Sequence, residues 1–172
     1  MHRVPFVSQR DYAFSRVTCG VASTMMLLKY HYRRRRVPSY RDLRLALGIN
    51  IPHGDRNSHY ERTPGIGVDT RQVVTYLRAK GVTCRVTHRK SKRQRAVVLR
   101  GLQTGPVMVG LGNNEARWGP GGHWIVLIGA TAKSVIYLNP SSRRRHPRPR
   151  RLRMVTFRRE WDGSSIQIVG FK

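Results

Sequence analysis

Acidic residues are scarce in this 172-residue chain: 8 Asp and Glu stand against 34 Lys and Arg, a formal charge of +26. So few carboxylates argue against a paired-carboxylate acid–base site and against an oxygen-ligand magnesium site. Cysteine is scarcer still, with two in the chain, Cys19 and Cys84. Two cysteines cannot build the disulfide framework of a small secreted domain, so each reads as a catalytic or a buried thiol. No apolar run approaches the roughly 18 residues of a membrane-spanning helix. Met1-His2-Arg3-Val4-Pro5-Phe6 lacks the apolar stretch of a secretory signal. The expectation is a soluble protein made without Sec export, of bacterial or phage cytoplasm unless exported by a non-Sec route, either as it stands or trimmed from a precursor. What the chain does have is 39% hydrophobic content with ordinary glycine and proline counts. That suffices for one domain over residues 1–172 with its own core.

Local signals lay out the elements. Residues 4–8 read as a short extended segment leading to Gln9. An apolar run behind Cys19 predicts a buried helix from Thr18 or Cys19 to about Tyr32, with Met25 and Met26 as core. The cations Arg33–Arg36 follow it, where a helix dipole favours positive charge. Ser39 and Asp42 cap a second helix with Leu43, Ala46 and Leu47 on its apolar face, ended by Gly48. A long polar loop spans 49–68. Asp69 and Gln72 form a capping box for a helix over 70–80 that packs through Val73, Val74 and Leu77. The period then switches to two, with Val82, Cys84 and Val86 on one face of a strand, so Cys84 reads as core.

The second half is richer in strands. A short helix is expected at 94–102, a strand at 106–111 and a glycine-rich loop at 112–122. Strands at 125–130 and 135–138 are joined by a turn near 131–133. Residues 141–153 read as a basic low-complexity arm, Phe157–Trp161 as one helical turn and 166–171 as a final strand. Helices early and strands late predict an α+β fold with an antiparallel sheet.

Four positions suggest chemistry together. Cys19 heads a helix, where unpaired N–H groups stabilise a thiolate, and Gly20 leaves room for a substrate backbone. Gln9 and the Cys19 N–H could both donate to an oxyanion. His123 stands at the head of an apolar strand, freed by Gly121 and Gly122 before it and anchored by Trp124 after it. A three-residue turn at 130–132 that pairs residue 129 with 133 also sets His123 directly across from Asn139. Asn139 would then orient the imidazole.

This order resembles the papain-like cysteine peptidases, and more narrowly the bacteriocin-processing (double-glycine) peptidase-like branch. The resemblance is carried by Val4–Gln9, Cys19-Gly20-Val21-Ala22-Ser23, Gly105-Pro106-Val107-Met108-Val109, Gly122-His123-Trp124-Ile125-Val126 and Tyr137-Leu138-Asn139-Pro140. It implies a papain-like fold, its central catalytic helix packed on an antiparallel sheet. It implies Cys19 as nucleophile, His123 as base and acid, Asn139 as orienting residue and Gln9 as oxyanion donor. Gly20, Gly122 and Trp124 would lie beside a peptide or protein substrate. No cofactor or metal is implied. The chain departs from the branch in carrying Asn139 where aspartate is common, and Val21 where proline often follows Cys-Gly. No fused transporter is expected from the sequence as read. Amidase, deamidase or transpeptidase chemistry would use the same residues. The arginine-rich segments 33–36, 85–95 and 143–153 suggest non-specific binding of nucleic acid or another polyanion. A basic nucleic-acid-binding protein with an idle peptidase fold is the reading from another class. His53 and His59, flanking Asp55, match no zinc spacing.

Overall fold

The computed structural model describes residues 1–11, 17–32, 37–49, 67–112, 122–142 and 148–171. After a 3-10 turn at Gln9–Asp11 come α1 (Cys19–His31), α2 (Tyr40–Ala46), α3 (Thr70–Ala79), β1 (Val82–His88), α4 (Lys92–Gly101) and β2 (Val107–Leu111). Then follow β3 (His123–Ala130), β4 (Ser134–Leu138), β5 (Arg150–Arg153), α5 (Met154–Glu160) and β6 (Trp161–Phe171). The strands form one six-stranded sheet in the order β1-β6-β2-β3-β4-β5, antiparallel at every pairing. The α+β expectation holds.

Helix starts follow the sequence closely because caps are local. Ser39 accepts the Asp42 N–H at 3.1 Å. Asp69 and Gln72 close a reciprocal box at 2.7 and 2.8 Å, which satisfies two of the donors a helix start leaves open. Gly48 (φ 81°) and Gly81 (φ 72°) follow α2 and α3 in the left-handed region. Ser91 caps α4, which begins at Lys92, two residues ahead of the expected start.

The sheet is covered on both faces. Trp124, Val126 and Ile128 of β3 join Met25, Met26, Leu43, Val73 and Leu77 in one core. Ile125 and Leu127 alternate into a second core with Val98, Leu152, Phe157 and Trp161. This explains why β2 and β3 read as unbroken apolar runs: neither face meets water.

Four expectations need correction. The segment 148–153 is not all arm: Arg150–Arg153 forms edge strand β5 on β4, with Leu152 the one buried side chain. α5 is a full helix from Met154, longer than one turn. Ala46 is exposed rather than core, while Cys84, half-buried, packs against the core with Val82 and Val86 as the alternation requires. The β3–β4 register also differs. Thr131 N–H donates to the Ser134 carbonyl at 2.7 Å, which puts the turn at Ala132-Lys133. Ala130 pairs with Val135, and after a bulge at Ile128 Val126 pairs with Leu138. Extended by one step, this register sets Asn139 across from Ile125, so His123 is its diagonal neighbour. The offset from the expected pairing is two residues, an even number. Both side chains therefore stay on one face.

Gly163 shows how tightly β6 meets the β1–α4 connection. Its φ is +106°, and a Cβ there would lie 2.5 Å from the Lys90 nitrogen and 2.7 Å from the Arg89 carbonyl carbon. Both obstacles are backbone and cannot rotate away. Gly163→Ala should cost about 2 kcal/mol or more, read as a lower urea midpoint. An unchanged midpoint would refute this account of the contact.

Candidate active site

The site begins at the head of α1. Thr18 takes the N-cap position without a side-chain cap bond, so the first turn keeps N–H groups available. Cys19, the first helical residue, is buried at 8% exposure. Its sulfur is met by the backbone N–H groups of Gly20 and Trp124 and by a hydrogen bond with His123.

His123 opens β3, and Gly122 before it has φ +82°. A Cβ at residue 122 would lie 3.0 Å from the Leu111 carbonyl oxygen, so glycine is required to bring the chain in at that angle. His123 Nε2 lies 2.8 Å from Asn139 Oδ1. The same oxygen accepts the Ser141 N–H at 2.9 Å. A backbone N–H can only donate, so this contact identifies Oδ1 as the oxygen and makes His123 Nε2–H the donor. Nδ1 is then the nitrogen left for the Cys19 thiol.

The electrostatics follow from these contacts. Burial pushes the Cys19 thiol up, but the hydrogen bond and charge of His123 and the two backbone N–H groups outweigh it, and the net shift is downward. Burial pushes the His123 imidazole down, but its hydrogen bond and charge interaction with Cys19 and its bond to Asn139 outweigh that, and the net shift is upward. The two shifts favour the same state, a thiolate beside an imidazolium. Cys84 differs: burial pushes its thiol up to about 11.

Gln9 is buried on the 3-10 turn that packs against α1. That turn is clasped to the stretch after Asn139. Gln9 N–H donates to the Pro140 carbonyl at 2.9 Å, and Ser8 Oγ donates to the Ser142 carbonyl at 3.0 Å. Arg10 Nε–H donates to the Ser141 carbonyl at 2.6 Å. Ser141 and Ser142 carry no motif signal in the sequence.

Gly20 and Trp124 also serve the packing of the site. A Cβ on Gly20 would lie 2.7 Å from Val68 Cβ and 3.2 Å from Trp124 Cδ1. The space Gly20 leaves on that side is filled by the protein itself. The Trp124 indole N–H donates to the Val68 carbonyl at 2.6 Å and the ring is buried. His53, Asp55, His59 and Gly121 lie outside the described residues. Among the described residues no group of three or more His, Cys, Asp or Glu could hold a metal ion.

A buried central helix that opens on a cysteine, packed on an antiparallel sheet that presents a histidine to it, is the plan of the papain-like cysteine peptidases, and this chain is one of them. It belongs to the Peptidase_C39 like family, which matches residues 1–169. Among solved structures it is similar to a double glycine motif protease from an AMS/PCAT transporter in complex with the leader peptide. That match has 19% identity and TM-score 0.61, over 95% of this chain and 89% of the other. The peptidase domain of Streptococcus ComA, a bifunctional ABC transporter of a quorum-sensing pathway, matches at 17% identity and TM-score 0.65, over 97% and 98%. A Bacillus anthracis protein described as a C39-like peptidase matches at 16% and 0.66, over 99% and 96%. At these identities the likeness carries the fold. Among curated proteins none matches the chain. No helix of the described residues is long and apolar enough to cross a membrane.

Iodoacetamide should label Cys19 with an apparent pKa below that of an ordinary thiol, while Cys84 stays unlabelled near neutral pH. In His123→Ala the main opposition to burial is lost, so the Cys19 titration should move up and labelling at about pH 6 should slow roughly tenfold or more. Equal labelling of both cysteines, or no shift in His123→Ala, would contradict the ion pair.

Proposed function

We propose that this cysteine peptidase cleaves peptide bonds with Cys19, His123 and Asn139 as a triad and Gln9 as oxyanion donor. The observation that carries the reading is the continuous hydrogen-bonded line from Cys19 through His123 to Asn139. The Cys19 thiolate attacks the scissile carbonyl carbon. Charge moves to the carbonyl oxygen, where the Gln9 carboxamide and the Cys19 N–H donate to it. The imidazolium gives its Nδ1 proton to the leaving amine as the C–N bond breaks, which leaves a thioester. Water, relieved of a proton by His123, then splits the thioester and restores the thiol.

Asn139 keeps the ring oriented and its Nε2 proton in place, but it carries no charge to offset the imidazolium. A peptide substrate is supported by the leader peptide held by the double glycine motif protease.

A digest of a peptide library tests this reading. Cys19→Ala should abolish cleavage with the fold intact. Gln9→Ala should lower kcat by about a hundredfold to a thousandfold with little change in KM, since oxyanion bonds form mainly in the transition state. Cleavage that survives Cys19→Ala would sink the proposal. Release of ammonia or transfer to an amine, without peptide cleavage, would redirect it to amidase or transpeptidase chemistry.

The basic segments support a second, non-catalytic property. Arg89, Lys90, Lys92 and Arg93 near the start of α4, and Arg150, Arg151 and Arg153 on β5, are all exposed. They fit non-specific binding of a polyanion such as nucleic acid. DNA affinity should then fall at least about a hundredfold between roughly 50 and 200 mM salt. A flat salt response would dismiss it.

A further inference from the structure

Asp162 stands one residue into β6, and its carboxylate rests over the Cα of Gly110 in β2, where a methyl group on residue 110 would overlap it. Gly110 pairs with Trp124, whose backbone N–H points at the Cys19 sulfur. On β2 the face of Gly110 is that of Met108, which packs in the core shared with α1. A second approach runs through Gly112. A Cβ there would meet Asp162 Cβ at 3.7 Å and the Gly122 Cα at 4.0 Å, next to His123. Each step from sulfur to carboxylate is one hydrogen bond, one strand spacing or one side-chain contact, which places the Asp162 carboxylate within roughly 13 Å of the Cys19 sulfur.

The surroundings of this carboxylate are unusual for this chain. Asp162 Oδ1 accepts the Ser164 N–H at 2.7 Å, a local bond that fixes its direction. Among the described residues Asp162 has no cation at ion-pair distance, although Lys and Arg outnumber Asp and Glu 34 to 8. Lys90 acts on it through charge without forming such a pair. Burial pushes its carboxyl above the usual range, against the pull of the Ser164 bonds and Lys90. The residue as a whole remains exposed, so a ligand can reach it.

We propose that Asp162 is a specificity-determining residue, receiving a lysine or arginine side chain of the substrate within two residues of the scissile bond. A peptide bound with its carbonyl at Cys19 advances about 3.3 Å per residue, and an arginine or lysine side chain adds several ångströms more. The reach matches the separation. Gly110 makes room for the carboxylate itself, and Gly112 leaves it without a neighbouring side chain at that position. The inference rests on the peptidase reading above and adds the class of substrate.

The test compares kcat/KM for matched peptides that carry arginine, glutamine or glutamate at each of the two positions on either side of the cleaved bond. The quantity read is a ratio within one enzyme, so it does not depend on how much of a variant is folded. Wild type should prefer arginine to glutamine by roughly tenfold or more at one position, and to glutamate by more. Asp162→Asn keeps the acceptor for Ser164 and should bring the arginine-to-glutamine ratio to about one; Asp162→Glu should retain part of the preference. Wild type that cleaves without a basic preference, or a preference that survives Asp162→Asn, overturns this inference alone. Wild type that cleaves no peptide of the set overturns the peptidase reading, and this inference with it.

Discussion

The structure turns on the contact between the head of α1 and the start of β3, and most of that contact belongs to Trp124. Its N–H points at the Cys19 sulfur, and its carbonyl accepts from Ser23 Oγ at 3.4 Å. Its indole N–H is satisfied by Val68, and its ring stands where a side chain on Gly20 would otherwise be. A thiol and an imidazole on separate elements share a proton only when their separation is held to tenths of an ångström. One tryptophan ties helix to strand through main chain and side chain at once and supplies that tolerance. The demand on residue 20 follows: a side chain there would run into Val68 and crowd the Trp124 ring. The buried indole nitrogen likewise needs its acceptor, because an unpaired donor in this core would cost about 1–3 kcal/mol.

The second constraint lies at the other side of the imidazole. The stretch from Asn139 to Ser142 orients His123 through the carboxamide and receives the N-terminal segment through three bonds from Ser8, Gln9 and Arg10. Gln9 is therefore located by the same turn that fixes the ring. A disturbance of that turn acts on histidine orientation and on Gln9 together, although the two residues stand more than a hundred positions apart in the chain.

How much of this was legible in the sequence depends on the range of the interaction. Caps are local, so Ser39, Asp69 and Gly81 gave reliable ends to their helices. The hairpin depended on turn type and bulge, which the sequence leaves open. The pairing of His123 with Asn139 was expected directly across and is diagonal, and it survives because the turn and the Ile128 bulge together displace the register by an even number. A displacement of one residue would have turned Asn139 to the opposite face. Strand β5 was hidden because an edge strand with one buried residue among arginines carries no alternating pattern. Gly20 is a different case: a sequence shows that a glycine leaves space, but not on which side, and on the side a Cβ would take the protein fills it. Val68, which fills it here, lies at the end of a loop with no pattern of its own.

The net charge raises a final question of magnitude. A field from so many cations would favour the thiolate and disfavour the imidazolium, so it could have decided the state of the Cys19–His123 pair. The causes of the two shifts point elsewhere. Cys19 is moved by burial, His123 and two backbone N–H groups, and His123 by burial, Cys19 and Asn139; among the described residues no arginine or lysine is a cause of either shift. Exposed cations on β5 and around α4 are screened over a Debye length of about 8 Å in physiological salt, whereas partners in direct contact inside a poorly solvated site are not. For the described cations, surface charge and site chemistry are thus separable. Arginines can accumulate on the outside without detuning the pair, provided that none comes within contact of His123. The neutral Asn139 satisfies that condition on the inside as well, holding the ring by a hydrogen bond and adding no charge of its own.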